Sequence, residues 1–138
     1  MTCFECGRAE YVRATLLIQG ERYGEIFPVS FPGLKCPQCG AETMYDSESD
    51  GLTELISDAY RAKHGLLKGA ELRGRRAGLD MTQQEFAEYL GVGVASVKRW
   101  ESGGIQERAM DELVRIKTGL EEARRNLKVL ESLRPRAS

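Results

Sequence analysis

The chain has 138 residues, 30% of them charged and 41% apolar, with aromatics at only 7% and a formal net charge of −1. This is a soluble, core-forming composition with room for one ordinary domain or two small ones, and its bulk charge alone would draw no polyanion. No stretch approaches the roughly 18 apolar residues of a membrane span, and Met1-Thr2-Cys3 is not followed by a charged and then apolar run, so no signal peptide is expected and the expected location is the cytoplasm.

The chain opens on Cys3-Phe4-Glu5-Cys6-Gly7, and a matching Cys36-Pro37-Gln38-Cys39-Gly40 follows after 29 residues between Cys6 and Cys36. In such a turn both thiolates point to one side and backbone N–H groups face the sulfurs. Two turns facing each other supply four soft ligands in a tetrahedron, which suits one structural Zn²⁺ per chain held by Cys3, Cys6, Cys36 and Cys39. Two disulfides would need an oxidising compartment, whereas a rubredoxin-like iron site uses similar knuckles and stays open as an alternative. A closed four-thiolate site has no open position for substrate or water. The chain also shows no Ser/His/Asp, Cys/His or phosphate-loop constellation, so no enzyme is expected.

Between the knuckles, Tyr11 to Ile18 alternates Val12, Ala14, Leu16 and Ile18 and reads as a strand. Gln19-Gly20 reads as a turn, and Arg22 to Phe31 as a second strand, bulged at Gly24 and ended by Pro28 and Pro32. Residues 1–48 are thus expected to form a β-rich zinc module. Burial alone could not hold so small a module, so a metal staple fits the physics.

Residues 49–65 read as an acidic linker and short helix, with Leu52, Leu55, Ile56 and Ala59 at helical spacing. Residues 1–65 carry 6 basic and 10 acidic groups, net −4, while residues 66–138 carry 14 and 11, net +3. Residues 66–138 read as an all-α domain with helices near 68–77, 82–90, 94–101, 107–118 and 120–133. Arg73, Arg75 and Arg76 cluster on the first of these, suited either to phosphates or to a solvated face. The fold class expected is α+β: a small β-rich four-cysteine module followed by about five helices.

Thr82 to Gly103 carries the second motif. Thr82 and Glu85 form a capping box, Phe86, Ala87 and Leu90 form an inward stripe, and Gly91 stands where a left-handed residue would stop the helix. Val97 and Trp100 face inward on the next helix. Ala87, Gly91 and the apolar residues around them match the constrained positions of the twenty-residue helix-turn-helix template. In that geometry the second helix enters the major groove and presents Val94, Ala95, Lys98 and Arg99. Arg99 suits a bidentate contact to guanine, and Val94 or Ala95 a thymine methyl. Thr82 and Gln83 at the start of the first helix, with Ser96 and Lys98, suit phosphates.

In this order, the two motifs resemble the MqsA-type (YgiT-type) antitoxins and regulators: a CxxCG…CxxCG zinc module, the lead-in Leu66-Leu67-Lys68-Gly69-Ala70-Glu71-Leu72-Arg73, then an Xre-like, lambda-repressor-like helix-turn-helix ending Lys98-Arg99-Trp100-Glu101. The resemblance implies a zinc-binding N-terminal module that clasps a protein toxin. It also implies a C-terminal domain that dimerises and represses its own operon at a palindromic operator on double-stranded DNA. Arg99 matches the family's base-reading arginine, whereas the other base-reading position, often Asn, is Ala95 here. The alternative is a stand-alone Xre-family regulator without a toxin.

Leu113, Ile116, Leu120, Ala123, Leu127 and Leu130 step by three and four residues in a heptad-like seam interrupted at Gly119. A dimer seam and an amphipathic face packed on its own domain are the two readings. Of the seam, Leu113, Ile116, Leu120, Leu127 and Leu130 are the residues expected to meet a second copy.

Overall fold

The computed structural model describes residues 1–133, apart from the side chain of Leu130. The chain divides into two compact units, Met1–Tyr60 and Arg61–Ser138. The architecture of the described residues is α+β: a three-stranded antiparallel sheet in the order β1-β2-β3, then six α-helices.

In the first unit, β1 (Val12–Arg22) and β2 (Glu25–Lys35) form one uninterrupted hairpin. Its turn is Tyr23-Gly24, both at positive φ (50° and 79°), rather than the expected Gln19-Gly20. Positive φ at both central positions gives the backbone twist that a two-residue hairpin needs, and the glycine accepts it without strain. Pro28 and Pro32 do not end β2 as the sequence suggests. In a two-residue hairpin the pair that closes the turn, here Arg22 and Glu25, is a hydrogen-bonded one, and so is every second pair outward. Gln19↔Pro28 and Thr15↔Pro32 fall between these, and neither proline breaks a bond to β1. A short β3 (Glu42–Thr43) pairs with Leu34 and Lys35.

A 3₁₀ turn at Asp46–Glu48 leads into α1 (Ser49–His64), a longer helix than the linker and short helix expected over 49–65. The part of α1 in the first unit lies on the hairpin's buried face, which carries Leu16, Phe27 and Val29. Gly20 leaves the space that Ile56 fills: a Cβ built there would come within 2.7 Å of the Ile56 side chain. Tyr60 meets Phe27 edge-on at 5.8 Å between ring centroids, and Arg22 donates to Ser57 Oγ at 3.2 Å.

The second unit contains α2 (Gly69–Gly78), α3 (Gln83–Leu90), α4 (Val94–Glu101), α5 (Arg108–Thr118) and α6 (Leu120–Leu133). Leu67, Leu72, Phe86, Leu90, Val97, Trp100 and Val114 form one buried cluster, with Leu113 and Leu127 packed against its edge. Tyr89 and Lys117 tie α3 to α5: the Tyr89 hydroxyl donates to the Lys117 carbonyl, the Lys117 ammonium donates to the Tyr89 carbonyl, both at 2.6 Å, and the ammonium sits 4.9 Å from the ring centroid. Gly119 separates α5 from α6 at φ −58°, ψ 135°. No helix of the described residues is long and apolar enough to cross a membrane.

Candidate functional site

Both cysteine knuckles form as their sequences require. Gly7 N donates to the Cys3 carbonyl at 3.1 Å, and Gly40 N to that of Cys36 at 2.9 Å. Cys6 N faces Cys3 Sγ and Cys39 N faces Cys36 Sγ, each at 3.5 Å, so backbone dipoles point at the sulfurs. The hairpin returns the second knuckle to the first. The four Sγ atoms lie within 4.8 Å of one another, with Cys3–Cys39 at 3.6 Å and Cys6–Cys36 at 3.7 Å. Four thiolates at about 2.3 Å from a tetrahedral ion stand about 3.8 Å apart, close to the two shortest separations here, so these four side chains could hold a metal ion.

The electrostatics of the cluster favour ligation. The Cys6 N–H beside its sulfur brings the Cys3 thiol down to about 6. The Cys39 N–H lowers the Cys36 thiol in the same way. The Ala41 N–H pulls the Cys39 thiol down, but burial and the neighbouring thiols outweigh it and push this last proton up to about 12. Four sulfurs this close cannot all ionise by themselves, and a cation at their centre removes that repulsion.

The second cluster of sequence-selected residues lies on α3 and α4. Thr82 caps α3 reciprocally: its Oγ1 accepts from Glu85 N at 3.1 Å, and its N–H donates to Glu85 Oε1 at 3.0 Å. Gly91, at φ 80°, ends α3. Its N–H and that of Val92 both reach the Ala87 carbonyl, at 2.9 and 3.0 Å, which turns the chain tightly into α4. Val97 and Trp100 anchor α4 in the core, while Ala95, Lys98 and Arg99 are exposed and Val94 and Ser96 half-buried. Arg99 donates to Ser96 Oγ at 3.3 Å. Gln83 is half-buried and donates to Glu101 Oε1 at 3.3 Å, so it is engaged with α4 within its own unit.

The arginines of α2 are not a free cationic face. Arg76 grips the Glu101 carboxylate with two bonds of 2.8 Å and donates to the Met81 carbonyl at 3.0 Å. Arg73 donates to the Glu101 carbonyl, and Arg75 to Thr118 Oγ1 at 2.9 Å. Arg76 is drawn in because Glu101 is buried on the inward stripe of α4 and needs a cation there.

Sequence reasoning also missed a buried polar network beneath α4. Arg61 is fully buried and donates to the carbonyls of Trp100 and Gly104, at 2.8 and 2.7 Å, and to Gln106 Oε1 at 3.0 Å. Gln106 donates onward to the Leu67 carbonyl and to Asp111 Oδ1, which also accepts from Leu67 N at 2.8 Å. The signal was present: Glu101 and Asp111 are charges at positions whose helical neighbours, Val97 and Val114, are core.

Of the residues expected at a dimer seam, Leu113 and Leu127 lean on the unit's own core, while Ile116 and Leu120 are 60% and 66% exposed. The Leu130 side chain lies outside the described residues.

A family model described as the antitoxin component of bacterial toxin–antitoxin systems, MqsA, matches residues 1–132. A search of curated proteins found no match. The family match spans nearly the whole chain, and the chain belongs to this antitoxin family.

Proposed function

We propose that this family member is a DNA-binding antitoxin: a sequence-specific repressor of its own operon that also neutralises a partner toxin. The observation that carries the DNA reading is the two-sidedness of α4. Val97 and Trp100 fix the helix from behind, while Ala95, Lys98 and Arg99 stand exposed on its other side. A helix held this way can lay its outer side in a major groove, with Arg99 reading guanine and Lys98, Ser96, Thr82 and Gln83 near phosphates.

Residues 66–138 act in this reading as a helix-turn-helix and dimerisation domain. The exposed Ile116 and Leu120 support pairing with a second copy through Leu113, Ile116, Leu120, Leu127 and Leu130. Two copies would set their α4 helices about 34–36 Å apart on a palindromic operator. The N-terminal unit holds one structural Zn²⁺, which a set of four thiolates favours over harder cations, and offers the toxin its surface. The site of action is the cytoplasm.

Band-shift titration with the DNA upstream of the gene tests this reading. Arg99→Ala should lose roughly 1–3 kcal/mol of operator discrimination, about 5- to 150-fold. Equal affinity and selectivity in Arg99→Ala would overturn the assignment of α4. Induction of the adjacent gene, alone and together with this chain, tests the toxin arm. Growth arrest that this chain relieves is the expected result; arrest it fails to relieve would remove neutralisation from the reading.

A further inference from the structure

We infer that Gly104 determines DNA specificity, because its missing side chain sets the path of the Arg99 stem and the buried Arg61 holds it in place. The inference rests on the DNA reading of α4. Gly104 has no positive φ to explain its identity, and space explains it instead. A Cβ built on Gly104 would stand 2.5 Å from Arg99 Cγ and 2.9 Å from the Arg99 carbonyl oxygen, far inside van der Waals contact.

Three hydrogen bonds keep the two residues in register. Gly104 N donates to the Arg99 carbonyl at 2.7 Å. Arg61 donates to the Gly104 carbonyl at 2.7 Å and to that of Trp100 at 2.8 Å, so one fully buried guanidinium holds the end of α4 and the loop after it together. At the far end of the side chain, the Arg99 guanidinium donates to Ser96 Oγ at 3.3 Å. The Arg99 stem therefore runs through the space that Gly104 leaves at its root and leans toward Ser96 at its tip. Beside it opens a cleft of about 240 Å³ lined by Ser96, Trp100, Ile105, Glu107 and Met110, into which a displaced side chain could swing.

An arginine that reads guanine must present both donors in one plane, so a displaced stem weakens the bidentate contact. A side chain at 104 that deflects the stem should therefore reduce selectivity and leave nonspecific phosphate binding in place. Nonspecific affinity comes from other cations and is insensitive to that geometry.

The test is a double-mutant cycle on the full metal-loaded chain: parent, Gly104→Ala, Arg99→Ala and the double variant. Each is titrated at fixed salt against upstream DNA and a scrambled duplex of equal length, and each is melted with Trp100 fluorescence as the reporter. Gly104→Ala should lower the preference for upstream DNA about tenfold, within the range of one lost bidentate contact. Binding to the scrambled duplex should stay within about threefold, and adding Gly104→Ala to Arg99→Ala should change the preference no further. Undiminished preference in Gly104→Ala, or an equal loss in both backgrounds, would overturn the inference while leaving the DNA reading intact. A parent with no preference would overturn both. If Gly104→Ala alone is too unstable to titrate, the melts decide. The approach to the Arg99 carbonyl is common to both backgrounds, so partial recovery of the midpoint when Arg99 is also Ala supports the clash with the Arg99 stem, and no recovery at all refutes it.

Discussion

The two units are held together by different means. In Met1–Tyr60 the buried apolar residues are few: Leu16, Phe27, Val29, Leu34 and Ile56, beside Cys3 and Cys36. In Arg61–Ser138 a continuous cluster from Leu67 to Val114 is backed by buried polar partners that satisfy one another. A small core cannot offset the conformational entropy of some sixty residues by burial alone. Metal binding, worth roughly 10–16 kcal/mol in small zinc peptides, can close that gap. The first unit's fold should therefore be conditional on an ion, and the second unit's unconditional.

Loss of a bound ion should therefore do more damage than any other change. Cys36→Ser, or a strong chelator, should abolish metal loading and unfold the first unit, seen as loss of dispersed amide resonances from β1 and β2. Trp100 is the only tryptophan in the chain and lies in the second unit. Its emission therefore reports on the second unit, and its melting midpoint should move far less than the signals of β1 and β2. A variant that keeps both the ion and the hairpin would contradict the four-thiolate assignment, and a Trp100 midpoint that collapsed with the metal would contradict the independence of the second unit.

The second unit has its own point of failure. Arg76→Met leaves the Glu101 carboxylate, whose side chain is only 5% exposed, without its bidentate cation. Breaking a buried pair from one side costs roughly 3–5 kcal/mol, and the partial exposure of Arg76 places this case near the lower end. Urea denaturation followed at Trp100 reads the loss directly. A change below about 0.5 kcal/mol would mean that the pair behaves as a surface pair.

Both the strengths and the gaps of the sequence reading have physical causes. The knuckles, the Thr82–Glu85 capping box and the Gly91 stop were legible because each is decided within a few residues of chain. The turn at Tyr23-Gly24 was not, because a tyrosine at positive φ carries no compositional flag and two prolines in one strand read as stops. Their harmlessness depends on register, which appears only once β1 and β2 are paired. The internal partners of the α2 arginines were hidden for a related reason. Arg76 looks solvated along the sequence, and only packing brings Glu101 of α4 within 2.8 Å. Arg61 lies 39 residues from the carbonyl it holds at Trp100, a distance no local pattern spans.

Acid should separate the units more gently. Burial raises the Asp111 carboxyl, but the Leu67 N–H, Arg115 and Gln106 outweigh it and hold the group below its ordinary value of 3.8. A carboxyl depressed in the folded state adds stability above that ordinary value and loses it as pH falls through the lower, folded one. The second unit's stability should therefore decline below about pH 4, and Asp111→Asn should flatten that decline while lowering stability at neutral pH by roughly 1.5–3 kcal/mol, the range for a hydrogen bond to a charged group. Parallel pH profiles of parent and variant would remove Asp111 from the account.

The smallest effect tests how much of the second unit is local. Thr82 Oγ1 satisfies Glu85 N at the first turn of α3, and Glu85 returns the bond to Thr82 N. Thr82→Ala removes one half of that exchange and should cost about 1 kcal/mol, the usual worth of an N-cap. Phe86, Ala87, Tyr89 and Leu90 are all buried on the same helix, so α3 keeps its place by packing even when its end frays. The loss should then appear in hydrogen exchange at Gln84 and Glu85 more than in the global melt. A global loss well above 2 kcal/mol would mean that the cap holds the α3–α4 turn itself, and the unconditional stability assigned to the second unit would depend on a single hydroxyl.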